Sequence, residues 1–349
     1  MQENNLISEK DILDLLDVRK GLYAPLAIVA IDRKVGKGQS DAKITLSFRG
    51  RKVSFLAEVK SRTAPKIISE GLWRLKNYPN RSERNLLLVV PYLSKTIQEL
   101  LNEENISGID LSGNYMIQTS EVVAVRLDQK NQFPESQPIK KIFSGNSSIV
   151  GRLFLTASKQ YESVNAVNSA IKAFGGNLSL SAVSKVLSGL EDELIIEKSR
   201  GKIFLLQPEK LLQKLQDDYR PPKVTAEIRL QLPLKGLNSL QDLNKALAPS
   251  TRWVLSGESS VERYAVTTRA EISTVYATAL GTWSQYENDR FYNVIMKRTL
   301  DSFPYFDARE NNRLRWASPI QCYLELSKMD KREKEIAETV REAILTKLK

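Results

Sequence analysis

Residues 85–93, NLLLVVPYL, hold an apolar run that no polar residue interrupts from Leu86 to Pro91. A strand covered on one face alternates apolar and polar side chains, so an unbroken run of this length requires burial on both faces. Such a strand sits inside a sheet with helices above and below it, and the flanking sequence offers both. A Ser8-capped amphipathic helix is expected over 8–18, with Ile12, Leu13, Leu15, Leu16 and Val18 as its apolar residues. AKITLSF (42–48) and VSFLAEVK (53–60) read as strands joined by the turn 49–52. KIISEGLWRLKNY (66–78) and SKTIQELLNEEN (94–105) have helical periods, and ISGIDLSGNYMIQ and VVAVRL supply further strands. The order helix, hairpin, helix, strand, helix, strand predicts an α/β layer with a mixed sheet over residues 1–135.

The 349 residues are enough for two or three domains. No apolar run approaches the roughly 18 residues of a membrane span, and polar residues interrupt the N-terminus throughout, so a cytoplasmic location with no membrane partner is expected. Cys322 is the single cysteine and is expected as a packed thiol. The chain has no histidine, which excludes Ser-His-Asp and Cys-His catalysis and every His-ligated metal. The net charge is +11, and residues 32–84 alone hold fourteen Lys/Arg against five Asp/Glu. A basic region of this kind attracts polyanions by releasing their counterions.

Inside that basic region Asp41 opens the first hairpin strand, and Glu58 and Lys60 end the second. Residues i and i+2 of a strand share a face, so Glu58 and Lys60 project together, and the hairpin brings Asp41 beside them. Two carboxylates so placed hold Mg²⁺ or Mn²⁺ through oxygen, while a lysine orients or deprotonates water. Asp41, Glu58 seventeen residues later and Lys60 two further on, followed by a helix and a buried strand, resemble the PD-(D/E)xK nuclease superfamily. The resemblance implies a restriction-endonuclease-like fold, Asp41 and Glu58 as metal ligands, and Lys60 as the catalytic base or positioner. The chain departs from the pattern at Ser40, where proline is usual. It departs again at 74–78 (RLKNY), where many members carry glutamine. Neither Glu9 nor Asp14 in the first helix is assigned as the extra carboxylate of some members.

A Pro- and Ser-rich stretch over 136–147 reads as a linker. Beyond it, 148–159 and 164–174 have helical spacing, Gly175-Gly176-Asn177 makes a turn, and Val183, Leu187, Leu190 and Leu194 repeat as a buried stripe. The opposite face carries Ser181, Ser184, Lys185 and Ser188, and a hairpin with Lys198, Arg200 and Lys202 around Gly201 follows. Over 148–220 this layout resembles a winged helix-turn-helix. That resemblance implies a second helix in the major groove of double-stranded DNA and wing cations on phosphate. The alternative is a protein-docking or dimerisation module, since the stretch 148–203 holds seven Lys/Arg against five acids.

Residues 221–349 read as an α+β domain ending in a long charged helix, solvated or dimerising. Ser256-Gly257-Glu258-Ser259-Ser260 after an apolar strand resembles the turn of nucleotidyltransferases. The next strand offers Glu271 alone where that family needs an Asp-x-Asp pair, so a catalytically silent domain of that fold is the expectation. Gly108–Asn114 (GIDLSGN) and Ala317–Leu326 (ASPIQCYLEL) resemble segments of the AbiEi-like antitoxin and transcriptional regulator group. That resemblance implies promoter binding and a cognate toxin as partner. The expected function is therefore a DNA-binding regulator of a toxin-antitoxin or phage-defence operon, with a second copy of the chain as a further partner. A Mg²⁺-dependent endonuclease targeted by the winged helix, and a protein-interaction scaffold, are the alternatives.

Overall fold

The computed structural model describes residues 7–33, 40–78, 85–134, 140–233, 247–266, 271–311 and 313–348. It is a mixed α/β protein with two compact units, Met1–Ile139 and Lys140–Lys349. Among the described residues no helix is long and apolar enough to cross a membrane.

The first unit is built on one seven-stranded sheet in sequential order: β1 (Leu26–Asp32), β2 (Ala42–Phe48), β3 (Arg51–Val59), β4 (Asn85–Val90), β5 (Ser107–Asp110), β6 (Tyr115–Gln118) and β7 (Val123–Arg126). β3, β4 and β5 run parallel, and the outer pairs are antiparallel. Parallel neighbours need crossovers, and α2 (Pro65–Lys76) and α3 (Lys95–Glu103) provide them. In β4, Leu87 and Val89 join a core with Ile12 and Leu16 of α1 (Glu9–Val18), while Leu88 and Val90 join another with Ile68, Leu72 and Leu101 of α2 and α3. The unbroken apolar run thus serves both faces, as a doubly covered strand must. β1 was not anticipated from the sequence. It lies at the sheet edge with alternate residues exposed, bent by a register shift between Ile28 and Ala30.

The phrase GIDLSGN is structural. Buried Asp110 accepts hydrogen bonds from the backbone N–H of Leu93 (2.9 Å), Ser112 (2.8 Å) and Asn114 (2.8 Å) and from the Asn114 side-chain amide (2.7 Å). Gly113 turns the chain at φ +100°, a conformation that favours glycine.

In the second unit, α4 (Ser148–Thr156), β8 (Gln160–Tyr161), α5 (Val164–Ala173), α6 (Leu180–Asp192), β9 (Ile196–Ser199), β10 (Lys202–Leu205) and α7 (Pro208–Asp217) follow in order, with the strands paired β8-β10-β9. A four-stranded sheet, β11-β14-β13-β12, comprises β11 (Val224–Leu230), β12 (Trp253–Leu255), β13 (Ser273–Ala277) and β14 (Val294–Thr299). The hairpin of β15 (Arg309–Asn311) and β16 (Leu314–Trp316), then α8 (Pro319–Leu326) and α9 (Lys331–Thr346), complete it. A helix expected over 239–249 falls mainly outside the described residues.

Two expectations about boundaries differ from what is seen. Of the expected linker 136–147, residues 136–139 lie outside the described residues, and the remainder folds into short 3₁₀ turns that bury Ile142 and Phe143. Segments 148–220 and 221–349, expected as separate domains, share one core. Every α4 residue from Ser148 to Leu155 is buried, and its apolar side chains pack in a single cluster with Ile171, Leu187, Phe303, Tyr323 and Val340. A helix apolar on all sides must be covered on all sides. Within that core Arg152 donates to Gln321 Oε1 at 2.6 Å and to the Phe303 carbonyl at 3.3 Å, and burial pushes its pKa down to about 10. The long last helix buries Ala337, Val340 and Ile344 in the same core, so its apolar stripe is already covered within the chain.

Asp110→Ala strands four donors in the interior, each costing about 1–3 kcal/mol. The substitution is expected to destabilise the first unit by about 3 kcal/mol or more, read as a lower urea midpoint.

Candidate functional site

β3 ends as the sheet meets α2, and this junction gathers the residues expected as a nuclease site. Glu58 is paired with Leu88 of β4 and is 1 % exposed, and Lys60 is 5 % exposed. Lys60 Nζ donates to Glu58 Oε1 at 2.7 Å and lies 3.6 Å from Glu9 Oε1. Asp41 precedes β2, and its Oδ2 accepts the Val59 N–H at 2.8 Å. Hairpin register therefore brings Asp41, Glu58 and Lys60 together, as the period-two argument requires.

α2 and the residues just past its C-cap, Asn77, add two side chains that strand spacing does not reveal. Arg74 Nη1 donates to Glu58 Oε1 at 3.2 Å, and the Tyr78 hydroxyl makes a short hydrogen bond to Glu58 Oε2. Arg74 lies in the last turn of α2, whereas Tyr78 lies beyond the helix end, so helical spacing carried no signal for it. Gly71 lets the Lys60 stem cross the helix, since a Cβ there would stand 3.1 Å from Lys60 Cε. The first helix also contributes, through Glu9. Asp14 is instead paired with Arg33 at 2.7 Å.

Burial above all holds the Asp41 carboxyl above its ordinary pKa, and Glu58 pushes the same way. The Val59 N–H, Lys60 and Arg74 oppose them. Tyr78 is also held high, by burial and then by its bond to Glu58.

The donor set is the oxygen-rich kind that hard cations use. As placed, however, it does not fit a resident divalent cation. A carboxylate offers roughly four acceptor positions, and three at Glu58 are taken by Lys60, Arg74 and Tyr78. Among the described residues no group of three acidic ligands gathers to hold a metal. Of the basic residues in 32–84, Lys34, Lys37, Arg81 and Arg84 lie outside the described residues.

The second candidate surface is α6 and the hairpin after it. α5 ends on a Schellman arrangement, with Gly175 N–H to Lys172 O at 3.0 Å and Gly176 N–H to Ile171 O at 2.8 Å. Gly175 has φ +79°, and a Cβ on Gly176 would stand 2.6 Å from Ile171 Cγ2, so this tight turn needs both glycines. Ser179 then caps α6 by accepting the Ala182 N–H at 3.2 Å. Val183, Val186, Leu187 and Leu190 are buried, and Ser181, Ser184, Lys185 and Ser188 are exposed on the outer face. The β9–β10 hairpin turns through Arg200 (φ 50°) and Gly201 (φ 81°), the two left-handed positions of a type I′ turn. Lys198 reaches Ser188 Oγ at 3.4 Å and Glu191 at 3.2 Å, and Lys202 pairs with Glu162 at 3.2 Å. Among the described residues Lys185 and Arg200 make no ion pair and face solvent.

The hydroxyls of the Ser256–Ser260 turn are engaged in backbone hydrogen bonds. They accept the backbone N–H of Ser259 (3.1 Å), Thr274 (2.8 Å) and Ala317 (2.9 Å). Gly257 presses on α8, where a Cβ would stand 2.7 Å from the Gln321 carbonyl oxygen. Glu271 is exposed, and Cys322 is buried with its thiol pKa raised by that burial. No protein-family model matches the chain, and no curated protein or solved structure shows significant similarity to it.

Two outcomes are expected. Glu58→Ala leaves the buried Lys60 ammonium without its closest partner, and loss of one member of a buried pair costs about 3–5 kcal/mol, measurable by urea unfolding. Asp41→Asn keeps an acceptor for the Val59 N–H and removes a charge that burial disfavours. Because the folded chain holds the Asp41 proton to higher pH than the unfolded chain, ionisation weakens the fold as pH rises through that raised pKa. The variant should match or exceed the wild-type urea midpoint at neutral pH, with the difference vanishing as pH falls below the carboxylate range.

Proposed function

We propose that this chain binds double-stranded DNA through a winged helix-turn-helix formed by residues 148–220, and acts as a transcriptional regulator of the antitoxin type. The observation that carries the reading is the outer surface of α6. Small hydroxyls and Lys185 face solvent there, and Lys198 ties that face to a hairpin whose tip presents Arg200. Helix, short strand, two helices and a β-hairpin, with the short strand paired to the hairpin, is the element order of a winged helix. In that class the second helix of the pair enters the major groove and the wing reaches phosphate. Serines accept or donate to base edges, so the α6 face suits direct readout, while Lys185 and Arg200 supply charge. Lys198 and Lys202 contribute less, being paired with Glu191 and Glu162. The GIDLSGN and ASPIQCYLEL segments, both structural, are in keeping with an AbiEi-like regulator whose partner is a cognate toxin.

A second reading, cleavage by a PD-(D/E)xK-like core, draws on one observation: Asp41, Glu58 and Lys60 meet at the end of β3, with Glu9 3.6 Å from the Lys60 ammonium. Purified protein incubated with plasmid DNA and Mg²⁺ or Mn²⁺ separates the readings, since cutting lost in Glu58→Gln supports the nuclease and retarded, uncut DNA supports the regulator.

Lys185→Ala and Arg200→Ala are each expected to weaken duplex binding by about fivefold, roughly 1 kcal/mol per lost phosphate contact. Each should also reduce the slope of log K against log salt by about 0.9. Fluorescence anisotropy across a salt series reads both. Wild-type affinity and slope in both variants would remove DNA contact from this face.

A further inference from the structure

We infer that the carboxylate site at the end of β3 is closed to divalent cations in the free protein, and that Arg74 and Tyr78 of the α2 end are what close it. The inference stands apart from DNA binding by α6 and concerns only the first unit.

Glu58 is the centre of the arrangement, and it is almost wholly buried. Its Oε1 accepts from Lys60 at 2.7 Å and Arg74 at 3.2 Å, and its Oε2 accepts from the Tyr78 hydroxyl. A cation bound at Glu58 has to displace at least one of these donors and then sit beside the charges of the others. Lys60 is also within 3.6 Å of Glu9, so its ammonium lies between two carboxylates, in the place a bridging cation would take. Three carboxylates, Glu9, Asp41 and Glu58, are thus met by two cationic side chains of the chain itself. Coulomb attraction that would draw in Mg²⁺ is already largely spent on Lys60 and Arg74.

The two cations differ in how firmly they are held. Lys60 is buried to its Nζ, with its stem lying across Gly71. Arg74 has a side chain 57 % exposed and reaches in from the surface of α2. Solvent screens the Arg74 end of the pair more than the buried Lys60 end, so Arg74 is the removable part of the closure. Tyr78 is the other removable part, because it meets Oε2 through a single hydroxyl that phenylalanine lacks. Taking both away leaves Lys60 in place and frees two acceptor positions on Glu58, close to the Asp41 carboxylate.

Mn²⁺ titration of the full chain, followed by electron paramagnetic resonance of the unbound ion, tests this without DNA and without an activity readout. Wild type is expected to show no Glu58-dependent Mn²⁺ site. The double variant Arg74→Met/Tyr78→Phe should gain one site, at least tenfold tighter than any wild-type binding, and lose it when Glu58→Gln is added. Arg74→Met and Tyr78→Phe alone should each show part of the gain, which keeps the test informative if the double variant does not fold. Circular dichroism melting establishes that each variant is folded. A wild-type Mn²⁺ site that Glu58→Gln abolishes would overturn the inference. So would folded single and double variants that bind no more Mn²⁺ than wild type.

Discussion

A parallel strand pair cannot be closed by a tight turn, and the crossover that β3 and β4 need is α2. That one connection organises the first unit. It covers the second face of β4, where Leu88 and Val90 meet Ile68 and Leu72. It also brings the end of the helix over the last residues of β3, so Arg74 and Tyr78 arrive at Glu58. The buried Glu58–Lys60 pair is tolerable in a hydrophobic layer only because each charge finds hydrogen-bonding partners there. Glu58 has three donors, and Lys60 donates to Glu58 with Glu9 3.6 Å away.

The second unit rests on a different constraint. α4 has no solvent face among its buried turns, so α5, α6 and α7 on one hand and Phe303, Phe306 and α8 on the other must all close on it. Arg152 carries a polar link through this packing to Gln321, whose amide donates to Tyr219 at 3.1 Å and Glu325 at 2.6 Å. The hairpin beyond α6 stays free of this core at its tip, which leaves Arg200 in solvent. Burial at the base and exposure at α6 and the wing follow from one arrangement.

Much of this was readable in the residues. Alternation placed Asp41, Glu58 and Lys60 side by side, because strand periodicity is local and survives any tertiary arrangement. Helical spacing placed Ser181, Ser184, Lys185 and Ser188 on one exposed face for the same reason. Gly175-Gly176 marked a turn, and the backbone shows the helix-ending hydrogen bonds that call for glycine. β1 was harder to read, since the β-branched Ile28, Val29 and Ile31 of LAIVAID lie in a run that does not alternate apolar with polar, and an edge strand is set by its one neighbour. The stretch at 140–147 read as a linker because its composition is polar, yet Ile142 and Phe143 found a core supplied from elsewhere, where Ile142 fills the space beside Gly189.

Local chemistry by itself determined the element types, the faces of the amphipathic helices, the exclusion of histidine chemistry and the company of Glu58 with Lys60. Tertiary structure alone decided which of those groups are available. Lys198 and Lys202 are drawn to Glu191 and Glu162, and Glu58 is occupied by Arg74 and Tyr78 from an element sixteen to twenty residues away. Such pairings depend on distances between elements, which periodicity does not encode, and they turn a list of charged residues into a site with some of its charges already spent.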